Sequence, residues 1–305
     1  MSQLLQNLTV DSRLAQEQVD ITLRYLAELF SGETPLHLIR TKQKNGVYSV
    51  EAGNEETPVI SFFFKQKRKS PVLLFPGAGA TRRSKNLLVK KFSFLMEQGH
   101  PLVLPQTDNP FPKSDREFFL QIKQQVALMG GAMAFWEEFA GTCNQEFFLI
   151  AVSAGAFPGI ILATLKRRIR KILLLVSGGD CEGLTWRGLL RFILRKDCPR
   201  KACRNMHATY RWILKNSLYS QIPLLPRYCF IYDPLTLAPW VVDREILMIN
   251  GLFDLVVPFS CAFRLRHRLA HPPLLWYPGT HLMLPWFLPF FRKRIQTLFG
   301  AVSKS

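Results

Sequence analysis

Two hydrophobic rhythms alternate along the chain. Short, almost wholly apolar runs, at Val72 to Phe75, 101–106 (PLVLPQ), Ile172 to Val176, Glu245 to Gly251 and 273–279 (PLLWYPG), read as buried strands. Further strand signals stand at Val47 to Val50 and Val59 to Phe64. Between the buried runs lie stretches of helical period: Ser84 to Gln98, 115–140, Pro258 to Ala270 and a last one after Trp286. Strands that alternate with helices and are apolar on both faces predict an α/β fold, a mostly parallel central sheet covered by helices on both sides. The rhythm breaks between residues 181 and 240, where Trp186, Leu189, Leu190, Phe192 and Ile193, then Tyr210, Trp212, Ile213 and Leu214, are helix-spaced without a strand. This predicts a helical cap at 181–240 inserted into a core made of 41–180 and 241–305. Residues 1–40, mixing Ile21, Leu23, Leu26, Leu29 and Phe30 with charged positions, read as a helical N-terminal extension.

The longest uncharged run, FFLIAVSAGAFPGIILATL from Phe147 to Leu165, is nearly long enough to span a bilayer. Its interior argues for another reading. Phe147 to Val152 is β-prone, Ser153, Ala154, Gly155 and Ala156 interrupt with small residues, and Ile160 to Leu165 resumes with helical character. The run therefore reads as strand, sharp turn and helix, and a second strand signal follows at Ile172.

Composition narrows the class. A hydrophobic fraction of 48% over 305 residues excludes wholesale disorder and allows a sizeable core. The first twenty residues lack a basic stretch followed by an apolar one, so the expected compartment is cytoplasmic. Six cysteines without a CxxC pair read as free thiols; Cys198, Cys203 and His207 do not complete a zinc set, and neither metal nor cofactor is expected. The formal net charge of +18 attracts polyanions, yet the basic clusters at 65–69, 82–85, 166–171, 195–204 and 292–294 are dispersed. They read as solvated surface, and no nucleic-acid module frames them. Near the C-terminus, PWFLPFFRKR joins aromatics to bases, which fits core packing and also fits a peripheral anchor on an anionic membrane.

Three strand ends carry residues that suit one chemistry. Ser153 lies in AVSAG, close to the G-x-S-x-G pattern whose small residues permit a strained turn that lifts a serine above a sheet. Asp254, in INGLFDLVVP, can orient an imidazole, and also suits a helix cap. His281, in WYPGTH, follows the last strand. Backbone N–H groups for a developing oxyanion would come from Ala154 and from the turn FPGAGAT, at Ala78 first and Gly79 second. Asp180 follows the strand after Ser153 and is the alternative acid.

Together PVLLFPGAGAT, AVSAGA, SGGD, DPLT, ILMINGLFDLVVP and WYPGTH resemble the α/β-hydrolase superfamily, in particular its esterase and peptidase-like branches, over roughly residues 45–300. The resemblance implies Ser153 as nucleophile, His281 as base and Asp254 as acid of a serine hydrolase acting on a small acyl ester or thioester. Two positions depart from the pattern: Ala151 replaces the first glycine, and Pro76-Gly77 replaces the usual His-Gly. These departures keep open a second reading, a weak or inactive hydrolase-fold protein that binds an anionic membrane or a partner through its basic surface.

Overall fold

The computed structural model describes residues 23–54, 57–66, 69–193 and 199–300. In chain order the elements are helix α1 (23–29), strands β1 (His37–Lys44), β2 (Val47–Asn54), β3 (Thr57–Phe64) and β4 (Val72–Phe75), and helices α2 (Arg82–Lys91) and α3 (Ser93–Glu97). Then come β5 (Leu102–Pro105), α4 (Asp115–Ala140), β6 (Phe147–Val152), α5 (Ala156–Leu165) and β7 (Ile169–Leu175). Helices α6 (Cys181–Arg187), α7 (Leu190–Ile193), α8 (Arg200–Lys215), α9 (Cys229–Tyr232) and α10 (Pro234–Leu237) follow without a strand. The chain closes with β8 (Glu245–Gly251), α11 (Phe259–Arg268), β9 (Leu274–Tyr277) and α12 (Leu284–Gly300).

The nine strands form one sheet in the order β1-β2-β3-β5-β4-β6-β7-β8-β9. Pairings from β1 to β5 are antiparallel, and all those from β5 through β4 to β9 are parallel. This is the α/β-hydrolase fold with a helical insertion between β7 and β8.

Alternation along the strands divides the core. Leu73, Phe75, Phe147, Leu149, Ala151, Ile172 and Leu174 join one cluster, covered by α4, α5 and α11. Their neighbours Val72, Leu74, Phe148, Ile150, Leu173 and Leu175 join the other, beneath α3 and α12. Each large side chain so buried contributes about 1.5–3 kcal/mol, which is why the run at Phe147 is apolar at every position. Among the described residues no helix is long and apolar enough to cross a membrane.

Several local details differ from expectation. Residues 1–22 of the expected helical extension lie outside the described residues, and 37–40, expected within it, belong to β1. The single helix expected over Ser84 to Gln98 is broken at Phe92. That break lets Phe92 bury together with Phe94, Leu95 and Met96, which one straight helix would spread around its circumference. Two basic residues expected in solvated runs are buried instead. Lys85 donates to the Thr107 carbonyl, and Lys171 sits inside β7 with its ammonium 5.3 Å from the Phe148 ring centroid.

Two carboxylates tie the insertion to the sheet. Asp233, fully buried, accepts from the amides of Asp180 (3.1 Å), Cys181 (2.8 Å) and Leu235 (2.9 Å), joining the point where the insertion leaves to the point where it returns. Asp115, at the start of α4, accepts from the Tyr232 hydroxyl at 2.7 Å and the Tyr228 amide at 3.0 Å, holding α9 over the sheet's carboxyl edge.

Candidate active site

The turn at Ser153 follows from small residues on every side. Ser153 has φ of +53°, a left-handed conformation that costs a non-glycine residue about 1–3 kcal/mol and persists only where packing enforces it. Packing does so here. A Cβ on Gly155 would lie 2.3 Å from the Phe75 carbonyl oxygen, so only glycine lets the turn close onto β4. The Ala151 methyl is accommodated because Gly159 faces it: a Cβ there would stand 3.3 Å from that of Ala151. Ala151 is fully buried, and the departure from the glycine pattern is absorbed one turn into α5.

Strands β8 and β9 bring the other two groups to the serine. His281 Nε2 lies 2.9 Å from Ser153 Oγ, and His281 Nδ1 lies 2.7 Å from Asp254 Oδ2. The second oxygen of Asp254 accepts from the amides of Val256 and Val257, at 2.9 and 2.8 Å. The carboxylate is thus buried with both oxygens hydrogen-bonded and is held in one orientation. The His281 turn is braced by the Tyr277 hydroxyl, which donates to the Thr280 carbonyl at 2.9 Å. With Nδ1–H given to Asp254, Nε2 is the acceptor for the serine proton.

Asp180 lies in a different environment. It pairs with Arg264 and stands 3.7 Å from Arg211, on the insertion side of β7. Burial raises its pKa, and those two arginines oppose the rise. Geometry therefore favours Asp254 as the partner of His281.

The turn after β4 is anchored by Asn109, in the loop between β5 and α4. Asn109 Nδ2 donates to the Gly77 carbonyl at 2.9 Å, the Asn109 carbonyl accepts the Gly79 amide at 2.6 Å, and Gln125 Nε2 donates to Asn109 Oδ1 at 2.9 Å. The Gly79 amide is therefore occupied, while the Ala78 amide has no acceptor among the described residues. Ala154 lies in the opening 3-10 turn, where leading amides lack intrahelical acceptors. Both alanines border the same cavity as Ser153 and His281.

That cavity, about 460 Å³, lies between the sheet's carboxyl edge and the insertion, within the size range of small-molecule sites. Its wall is mainly apolar, including Phe111, Phe118, Phe157, Leu184, Trp186 and Met206. Of the helix-spaced aromatics Trp186, Phe192, Tyr210 and Trp212 of the insertion, Trp186 alone lines it. Phe192 and Trp212 are exposed, and Tyr210 is buried with its hydroxyl 2.8 Å from Thr236 Oγ1. Helical spacing identifies a face, and which face meets the cavity depends on packing. Phe111 and Phe118 were missed because they belong to the core's own α4 region.

His207, which sequence names only as failing to complete a zinc set, is buried in the cavity wall on α8. Its Nε2 is 4.0 Å from Cys229 Sγ, and its Nδ1 is 3.9 Å from Asp180 Oδ1. Burial lowers its pKa to about 4, with Glu182 opposing and Arg211 adding to the shift. The unfolded chain, with an ordinary histidine near 6.5, binds more protons in this window. His207 therefore contributes stability that is full above pH 6.5 and is lost as pH falls towards 4, by about 3 kcal/mol. Asp233 has the opposite sign: burial raises its pKa to about 6, so its contribution is greatest at low pH and declines as pH rises through 6. Urea unfolding of the wild type and of His207→Gln should diverge accordingly. The variant is expected to lose less stability on acidification through that window, and parallel pH curves would contradict this account. Among the described residues no cluster of three His, Cys, Asp or Glu is placed to hold a metal, and the five described cysteines are free thiols.

Comparison with known proteins separates fold from sequence. No family model matches the chain, and no curated protein matches it. Solved structures do. An acetyl xylan esterase from Paenibacillus sp. R4 aligns over 92% of this chain and 94% of its own, with 16% identity and a TM-score of 0.57. A cold-adapted esterase from an Arctic intertidal metagenomic library aligns over 84% and 97%, with 14% identity and a TM-score of 0.52. The 2-hydroxy-6-oxo-6-phenylhexa-2,4-dienoate hydrolase of Rhodococcus sp. strain RHA1 aligns over 88% and 100%, with 16% identity and a TM-score of 0.52. At such identities the likeness is one of architecture, and it places the chain among α/β-hydrolase folds.

Proposed function

We propose that the protein is a serine hydrolase that cleaves a carboxylic ester or thioester through an acyl-enzyme, with Ser153, His281 and Asp254 as its triad. One observation carries this reading: a continuous hydrogen-bonded line from Asp254 through His281 to Ser153, at the wall of an apolar cavity. Ser153 Oγ attacks the acyl carbon while His281 Nε2 takes its proton. The carbonyl π electrons move onto oxygen, and the amides of Ala154 and Ala78 receive that charge. On collapse the carbon–oxygen or carbon–sulfur bond breaks, and His281 returns the proton to the leaving group. Water then repeats the sequence against the acyl-enzyme and regenerates Ser153. These steps require no cofactor. The apolar wall favours an apolar acyl group, and the solved structures of similar fold include esterases.

A fluorophosphonate probe tests the proposal. Covalent labelling of the folded wild type is expected, and absence of labelling would overturn the enzymatic reading in favour of a binding role. The oxyanion turn has its own test. Asn109→Ala removes the side-chain bonds to Gly77 and Gln125, so the Ala78 amide loses its fixed aim. A fall in kcat of about 10- to 100-fold with little change in KM is expected, somewhat less than the loss of a donor itself. Equal kcat in the two proteins would remove Ala78 from the hole.

A further inference from the structure

Three segments that contribute to the cavity wall also turn large apolar side chains into solvent. On the loop holding Asp254, Phe253 and Leu255 are 63% and 59% exposed. Beside His281, Leu282 is 78% exposed, and Trp286 and Phe290 follow at helical spacing with 68% and 79%. On the insertion, Leu189 and Phe192 are 42% and 72% exposed. Backbone bonds join these segments: Leu189 N–H to Leu255 O at 2.6 Å, and Phe253 N–H to Gly279 O at 3.1 Å, next to the His281 turn. Leu189 and Leu282 also line the cavity, so the exposed rim is continuous with its wall. Scattered single exposures are ordinary, but seven on three segments that are tied by backbone bonds and also line the cavity mark a contact surface.

The charges beside the rim indicate what it contacts. Arg187 and Arg191 flank one end, with the Arg191 guanidinium 4.4 Å from the Phe192 ring centroid. Lys293 and Arg294 continue the stripe of Trp286 and Phe290 at the other end. In 186–192, 252–257 and 281–294 the one acid is Asp254, and it is buried against His281. Aromatic and aliphatic tips bordered by bases match a bilayer interface carrying anionic headgroups. A second copy of the chain fits poorly, because each copy would bring the same basic border and a net charge of +18.

We propose that this rim docks on an anionic phospholipid surface, with the cavity mouth facing the bilayer. Resting on the serine hydrolase reading, the substrate class is then a membrane lipid ester whose acyl chain enters along Leu282 and Leu189.

Co-sedimentation of the full chain with vesicles tests the docking, using phosphatidylcholine alone and phosphatidylcholine mixed with phosphatidylglycerol. Binding to the mixed vesicles is expected, weakening as salt rises. The double variant Trp286→Ser, Phe290→Ser should weaken binding by about tenfold or more, while hydrolysis of a soluble short-chain ester stays unchanged. Lys293→Glu with Arg294→Glu should remove the preference for anionic vesicles. Ser153→Ala should still bind, which separates docking from catalysis: vesicle binding without fluorophosphonate labelling would leave the docking standing and the hydrolase reading failed. Absence of the wild type from both vesicle pellets, or equal binding by the Trp286/Phe290 variant, would overturn the docking. So would a concentration-dependent dimer in analytical ultracentrifugation that this variant abolishes, since the face would then belong to a second copy.

Discussion

Ser153→Ala is expected to abolish fluorophosphonate labelling and to lower kcat on a soluble acyl ester by on the order of 10⁵- to 10⁶-fold, the scale seen when a triad nucleophile is removed. The expected loss follows from the atom removed. Oγ is the group 2.9 Å from His281 Nε2, and in the variant water must be activated at the same position without covalent capture. The fold should tolerate the change, because alanine keeps the Cβ that packs beside Gly77 and leaves the left-handed turn to be held by Gly155 and β4. A melting temperature close to wild type would establish that the loss is chemical. Activity within tenfold of wild type would refute the role of Ser153 even if the fold is as described.

The second large effect is expected at Asp254. Asp254→Asn can retain the carbonyl oxygen that accepts from Val256 and Val257, so the loop keeps its shape. Its amide nitrogen then faces His281 Nδ1 as a donor, which places the imidazole proton on Nε2. That tautomer cannot accept from Ser153 Oγ, and a fall in kcat of about 10⁴-fold is expected. Asp180→Asn supplies the contrast. It weakens the pairing with Arg264 in a buried place and should lower stability, yet leave kcat within about tenfold, since Asp180 does not touch His281. Urea unfolding with steady-state kinetics on both variants separates the two carboxylates. A larger kcat loss in Asp180→Asn would reverse the assignment.

Sequence made much of the sheet legible because burial on both faces leaves a direct trace. The runs at Val72, Phe147 and Glu245 are apolar at nearly every position, and each became a strand with alternate residues in two clusters. The uncharged stretch from Phe147 likewise reads as strand, turn and helix, and β6, Ser153 and α5 occupy those places. Ser153, Asp254 and His281 were candidates in sequence through the strand ends they follow, and their side chains lie within hydrogen-bonding distance of one another in that chain.

Other features left no local trace. The approach of His281 to Ser153 spans 128 residues and that of Asp254 to His281 spans 27, so both depend on the parallel order of β6, β7, β8 and β9. Sequence preferred Asp254 and kept Asp180 as the alternative, because both follow buried strands. Arg264 and Arg211, arriving from α11 and α8, decided the setting of Asp180. His207 shows the same limit: no strand end marks it in sequence, and only the packing of the insertion puts it in the cavity wall.

The chain's own pattern thus determined the alternating elements, the apolar strands and the candidate chemical groups, since hydrophobic period reports burial residue by residue. Tertiary structure alone decided which aspartate meets His281, which helix faces line the cavity, that Gly159 makes room for Ala151, and that Trp286 and Phe290 stay in solvent. The physical reason is one of range. Burial is encoded by each side chain, whereas distances, occupied amides and unpartnered faces arise from pairs of segments far apart in the chain, brought together by the sheet's order and register.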